Sequence, residues 1–183
     1  MEEVVVLVSD DGEAIGTAEK STVHGLDTPL HRAFSCYVFD DAGRVLITRR
    51  ALSKRTWPGV WTNSLCGHPG PGEPDPQAIV RRAEQELGTR LTGIAPALPE
   101  FRYRAVDAGG TVENEVCPVY TARLAGELSP NPDEVAEWDW VSSRGLVQAL
   151  AGAPSVFSPW LQLQVPGLVR AGLLPAIDGE ELP

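Results

Sequence analysis

Apolar and polar positions in the first twenty residues fall into two runs, VVVLVS and EAIGTAEK, on either side of DDG. That alternation, with its β-branched residues, predicts a β-hairpin. The connection STVHGLDTPLHR has no period and reads as an ordered link carrying two histidines. AFSCYVFD and RVLITRR then flank DAG and predict a second hairpin. Proline and glycine interrupt WPGVWTNSLCGHPGPGEPDP, so mostly loop with one short strand is expected there.

Asp75 followed by Pro76 reads as an N-cap and a first helical proline, and Gly88 sits where a C-terminal cap belongs, so a helix over 76–87 is predicted. Ile79, Val80, Ala83 and Leu87 form its apolar stripe at three- and four-residue spacing, whereas Arg82 and Glu86, four apart, share another line. FRYRAV and TVENEVCPVYTARL read as strands around DAGG, and EVAEWDWVS as a late strand. A short helix over SSRGLVQAL and a C-terminal helix over SPWLQLQVPGLVRAGL complete the chain, with Pro166 expected to kink or restart the latter. Strands and helices alternate irregularly, without repeat or linker. The expectation is one α/β domain over residues 1–183, a sandwich around a mixed sheet with the opening hairpin as an extension.

Composition narrows the classes of function. A net charge of -10 argues against nucleic-acid or anionic-membrane surfaces as partners. The opening MEEVVVLVSDDGE has neither a basic leader nor a signal-peptide core, and no apolar run is long enough for a span, so a cytoplasmic location is expected. Cys36, Cys66 and Cys117 form no CxxC pair, which points to reduced thiols. An anionic small substrate is still compatible with this balance, because Arg49, Arg50, Lys54 and Arg55 form a local cationic cluster. A solvated edge would show the same cluster.

Glu113 and Glu115 are two apart in a strand, so their carboxylates share a face and repel unless something positive lies between them. A polar exposed face has the same pattern. The three histidines, His24, His31 and His68, all fall in or beside loops, and with the two glutamates they compose a donor set suited to manganese, iron or zinc. The loop TNSLCGHPG places Cys66 two residues before His68, leaving redox, metal and nucleophilic roles open.

The span from Gly67 to Thr89 matches the spacing of the Nudix signature, with Gly67, Glu73, Arg81, Glu86 and Gly88 in register. Two carboxylates of that signature are replaced, by Arg82 and Gln85, so the frame for a diphosphate is kept and most of the hydrolytic metal cluster is lost. TRRALSK, WPGVWTNSLCGHP, this degenerate box, YR before ENEVCPVY, and the late SPW together resemble the type I isopentenyl diphosphate isomerases of the Nudix superfamily, from about residue 20 to 160.

The resemblance implies a Nudix-like α/β/α sandwich and an enzyme that moves a double bond by adding a proton at one end of an alkene and removing another. It makes Cys66 and Glu115 the proton-transfer pair. His24, His31, His68, Glu113 and Glu115 would hold one divalent transition metal, and Glu86 with the Cys66 carbonyl would hold magnesium. Lys20, Arg50, Lys54 and Arg82 would grip the diphosphate, and Trp160 would lay its indole face against the developing cation. Tyr103 would hydrogen-bond Glu115. If the hairpin loop is the three residues Ala108 to Gly110, counting back from Asp107 and Thr111 puts Tyr103 opposite Glu115, whereas a two-residue loop would put arginines there. The implied partner is a small prenyl diphosphate, bound by a monomer or weak homodimer.

Overall fold

The structure is a computed structural model and describes residues 3–174. The chain runs β1 (Val4–Val8), β2 (Ala14–Glu19), α1 (Lys20–Val23), β3 (His31–Arg32), β4 (Phe34–Phe39), β5 (Arg44–Arg50), β6 (Trp61–Thr62), β7 (Leu65–Gly67) and α2 (Asp75–Leu87). There follow β8 (Leu91–Leu98), β9 (Arg102–Val106), β10 (Val112–Val116), β11 (Val119–Leu124), β12 (Val135–Ser142), α3 (Ser143–Gly152), a 3-10 turn (Pro154–Val156) and α4 (Pro159–Arg170).

The β layer is mixed, as expected, but divides into two sheets. One has the order β2-β1-β3-β10-β9, the other β12-β5-β4-β11-β8 with β6 on β5 and β7 on β4. The division has a chemical cause. TVENEVCPVYTARL, expected as one strand, breaks at Cys117 and Pro118, where proline has no N–H to continue a ladder. The chain beside it breaks at Ala33, and both cross together: β3 pairs in parallel with β10 in the first sheet, β4 in parallel with β11 in the second. His31 and Glu115 therefore lie on one side of this seam, Ser35 and Cys117 on or beyond it.

Alternate residues of β4 face opposite layers. Phe34, Cys36 and Val38 pack with Ile79, Ala83 and Leu87 of α2. Tyr37 packs on the other face with Val147 and Leu150 of α3 and Leu161 and Val165 of α4. Full burial of such side chains contributes roughly 1.5–3 kcal/mol each, enough for the two faces to fix the α/β/α layering.

Several local expectations change. The α2 stripe includes Arg82 and Glu86, both buried, whereas Val80 is 38% exposed. Asp75 does not cap α2: the helix begins at Asp75 itself, and its carboxylate takes Arg32 and the Tyr120 hydroxyl instead. Gly88 does terminate α2 in the left-handed region, at φ 60°, and a Cβ there would meet the Ser129 carbonyl oxygen at 2.3 Å. Of the two expectations for Pro166, a restart does not occur, since the proline lies within the single α4. LTGIAPAL, not anticipated as a strand, forms β8; its proline is tolerated because β8 lies at a sheet edge. The link before β3 contains the single turn α1. Among the described residues no helix is long and apolar enough to cross a membrane.

Candidate active site

The seam between the sheets opens into a cavity of about 420 Å³. His24 follows α1, His31 opens the short β3, His68 follows β7, and Glu115 lies on β10 directly across from His31. Their ligand atoms lie within 4.8 Å of one another. Glu115 Oε1 is 3.1 Å from His68 Nε2 and 3.4 Å from His31 Nε2. His31 Nδ1 lies 2.9 Å from the Pro29 carbonyl, a contact that requires its N–H there and turns the Nε2 lone pair inward.

This nest is electrostatically prepared for a cation. Burial, reinforced by the neighbouring imidazoles, pushes His24 down to about 4. Burial also lowers His68 against the pull of Glu115, whereas at His31 the Glu115 carboxylate overcomes burial and raises it. Burial alone would raise the Glu115 carboxyl, but the two imidazoles hold it well below the usual range. His24 Nε2, His31 Nε2 and His68 Nδ1 are buried without a hydrogen-bond partner. Orphaned imidazole nitrogens beside a carboxylate fit a divalent transition metal.

Glu113 stands apart from this nest. Its Oε2 accepts from Tyr103 Oη at 2.5 Å and its Oε1 from Thr56 Oγ1 at 2.8 Å. The β9–β10 hairpin has the three-residue loop, and Tyr103 is opposite Glu115 as counted. Its hydroxyl nevertheless reaches along the strand to Glu113, because Glu115 is already engaged by imidazoles. Burial and the adjacent Glu115 charge raise the Glu113 carboxyl.

Cys66 borders the same cavity, its thiol donating to Asn63 Oδ1 at 3.3 Å with Ser35 Oγ at 3.4 Å. Burial pushes the thiol up to about 12, so it is protonated at neutral pH. Asn63 Oδ1 also accepts from Trp160 Nε1 at 3.0 Å. The Trp160 ring has Tyr103 at 5.9 Å, Trp57 at 5.7 Å and the Arg50 guanidinium over it at 5.4 Å.

The cavity mouth is cationic. Lys20, Arg50, Lys54, Arg55 and Arg82 all line it. Carboxylates restrain three of them: Lys20 lies 2.5 Å from Glu3, Lys54 pairs with Glu134, and Arg82 pairs with Glu86 and lies 3.4 Å from Glu134. Arg49 of the same cluster turns instead to Glu137 and the Gly59 carbonyl.

Residues 29–161 match the NUDIX domain family. Over 98% of the chain the sequence is 60% identical to a protein named isopentenyl-diphosphate Delta-isomerase in Paenarthrobacter aurescens, covering 97% of that relative. A protein of the same name in Leifsonia xyli is 61% identical over 92% of both chains. The chain belongs to the isopentenyl-diphosphate Delta-isomerase family of NUDIX-domain proteins. Solved structures show the same fold at far lower identity. A Deinococcus radiodurans protein superposes with a TM-score of 0.67 at 20% identity, covering 88% of this chain and 96% of its own. The MutT protein of Methanosarcina mazei does so at 0.60 and 17%, covering 81% and 96%.

Within this isomerase-family frame the structure gathers His24, His31, His68 and Glu115 into one nest and sets Glu113 in a hydroxyl cradle beside it. Cys66, Trp160, Glu86 and the four cations named from sequence border the same cavity. Asn63, Ser35, Gln164, Thr56 and Glu134 were not named. Asn63 sits three residues before Cys66, inside the same motif TNSLCGHPG, so its place in the sequence was a signal, whereas Glu134 sits in a turn and does not stand out by periodicity. Gln164 did carry a signal: it interrupts the apolar stripe Leu161, Val165, Leu168 four residues after Trp160.

Proposed function

We propose that the chain interconverts isopentenyl and dimethylallyl diphosphate, with Cys66 and Glu115 exchanging protons with opposite ends of the allylic unit. The observation that carries this reading is a single cavity bordered by a protonated thiol, a carboxylate held by imidazoles and a cationic rim. A general acid and a general base each typically supply about a hundred- to ten-thousandfold. The high pKa of Cys66 keeps a proton on sulfur, and the low pKa of Glu115 keeps its carboxylate ready to accept one.

His24, His31, His68 and Glu115 would hold manganese, zinc or iron, with Glu113 next to them; such an ion would supply positive charge that orients the Glu115 carboxylate. Glu86 and the Cys66 carbonyl would hold magnesium against the substrate diphosphate. Lys20, Arg50, Lys54 and Arg82 bind the non-reacting diphosphate, so binding energy there holds the alkene between thiol and carboxylate. Trp160, its N–H fixed by Asn63, offers its ring face to positive charge developing on the hydrocarbon. Arg82 and Gln85, in place of box carboxylates, disfavour the water activation that hydrolysis needs.

The test is turnover of isopentenyl diphosphate in heavy water. The expected product is dimethylallyl diphosphate with deuterium in a methyl group and the diphosphate whole. Cys66→Ala and Glu115→Gln should each abolish most turnover while diphosphate affinity persists. Orthophosphate released in step with substrate loss, or a covalent adduct on Cys66 during turnover, would overturn the reading.

A further inference from the structure

Three polar groups lie where an apolar core belongs. Ser35, Tyr37 and Gln164 are fully buried, and Tyr37 packs among Val45, Val119, Leu161 and Val165. Burying such groups is costly unless every donor and acceptor is paired. They are paired in one line. Tyr37 Oη donates to Gln164 Oε1 at 2.9 Å, Gln164 Nε2 donates to Ser35 Oγ at 2.9 Å, and Ser35 Oγ lies 3.4 Å from Cys66 Sγ.

The far end sets the direction of the line. Among the described residues the Tyr37 hydroxyl proton has no acceptor except Gln164 Oε1, so that oxygen faces Tyr37 and the amide N–H faces Ser35. Ser35 Oγ then accepts from Gln164, and its own hydrogen is free for a sulfur. Cys117 Sγ is 3.5 Å from the same oxygen and has an S–H to give, which satisfies both sulfurs when Cys117 donates and Cys66 accepts. On its other side Cys66 donates to Asn63 Oδ1, itself held by Trp160 Nε1. Both anchors come from one face of α4, since Trp160 and Gln164 are four residues apart.

We propose that Gln164 and Ser35 are positioning residues that hold the Cys66 thiol in one rotamer, with Ser35 donating to the sulfur and the S–H turned to Asn63. This rests on the reading of Cys66 as a proton-transfer residue. Neither residue touches the substrate; each acts through the sulfur, whose placement matters because a misplacement of about 1 Å can cost a hundredfold.

The experiment combines kinetics with the infrared S–H stretch of Cys66, assigned by subtracting the Cys66→Ala spectrum. Ser35→Ala should lower kcat about tenfold, the equivalent of one lost hydrogen bond. KM for isopentenyl diphosphate should stay within about twofold, because the cationic rim is untouched. The S–H band should shift and broaden as the thiol samples other rotamers. Gln164→Met keeps the bulk, removes the donor, and should move the band in the same direction with a smaller loss of kcat; it carries the test if Ser35→Ala does not fold. An unmoved band and unchanged kcat in these variants, beside an inactive Cys66→Ala, would overturn this inference alone. Full turnover in Cys66→Ala would overturn the reading of Cys66, and this inference with it.

Discussion

Glu113 and Glu115 show how one residue type takes two states two positions apart. Both point from β10 into the seam, but Glu115 meets imidazoles and is held ionised, whereas Glu113 meets hydroxyls and its neighbour's charge and is pushed up. Tyr103→Phe leaves Glu113 with Thr56 as its hydroxyl donor in a site only 7% exposed. The expected cost is about 1–3 kcal/mol of stability, read from denaturant midpoints, with turnover reduced as the Glu113 carboxylate moves. Trp160 separates packing from ring chemistry. Trp160→Phe should keep more turnover than Trp160→Leu, because it retains a π-face over the cavity while both lose the bond to Asn63. Equal losses of turnover matched by equal losses of melting temperature would make the ring a packing group.

Among the elements, the loop from β7 to α2 is tied down by charge rather than by a ladder. Glu73 accepts from Arg81 Nε at 2.8 Å, Arg81 Nη2 at 2.7 Å and the Gly70 amide at 2.8 Å. The Arg81 bonds, against partial burial and with help from Gly70, hold the Glu73 carboxyl below its ordinary 4.5. A carboxylate with a depressed folded pKa binds protons more readily when unfolded, so its contribution is full above about 4.5 and is lost as pH falls through the depressed value. Glu73→Gln should therefore lower stability at neutral pH by the modest ~0.2–1 kcal/mol of a solvent-facing pair, a deficit that closes as pH falls below about 4.5, so that the acid limb of the variant's profile is flatter. Gly67, at the end of β7, is held by contact rather than by an unusual backbone: a Cβ there would lie 2.7 Å from Arg82 Cγ and 2.9 Å from Phe34 Cζ. Phe34 is fully buried and cannot yield, so Gly67→Ala should cost about 1–3 kcal/mol and raise KM by displacing Arg82, measured by melting and steady-state kinetics.

Across the whole molecule, a chain of net charge -10 concentrates its useful cations at one cavity mouth and its histidines inside. Loading the histidine nest should raise the melting temperature, because an ion at about a hundred times its Kd stabilises by about 2.7 kcal/mol, several degrees for a chain of this size. His24→Ala should abolish most of that rise under manganese or zinc titration; an equal rise in wild type and variant would place the ion elsewhere. The amino-acid sequence by itself determined the hairpins, the extent of α2 and the Gly88 stop, since these depend on local periodicity and capping, and it reduced the partner of Glu115 on β9 to the length of one loop, which the structure shows to be three residues. It also displayed the residues of the family's motifs in order. It could not show that Pro118 and Ala33 split the β layer, that β8 survives its proline at an edge, or that Val80 faces water while Arg82 is buried, since each depends on which surface packs alongside. Only the tertiary structure brought His24, His31 and His68 to Glu115, turned Tyr103 to Glu113 and ran a buried line from Tyr37 to Cys66. Those contacts join residues far apart in the chain, and the free energy that fixes them comes from packing the second sheet between α2 and the α3–α4 layer and Ala33, Tyr103 and Cys117 against Trp160, rather than from any segment alone.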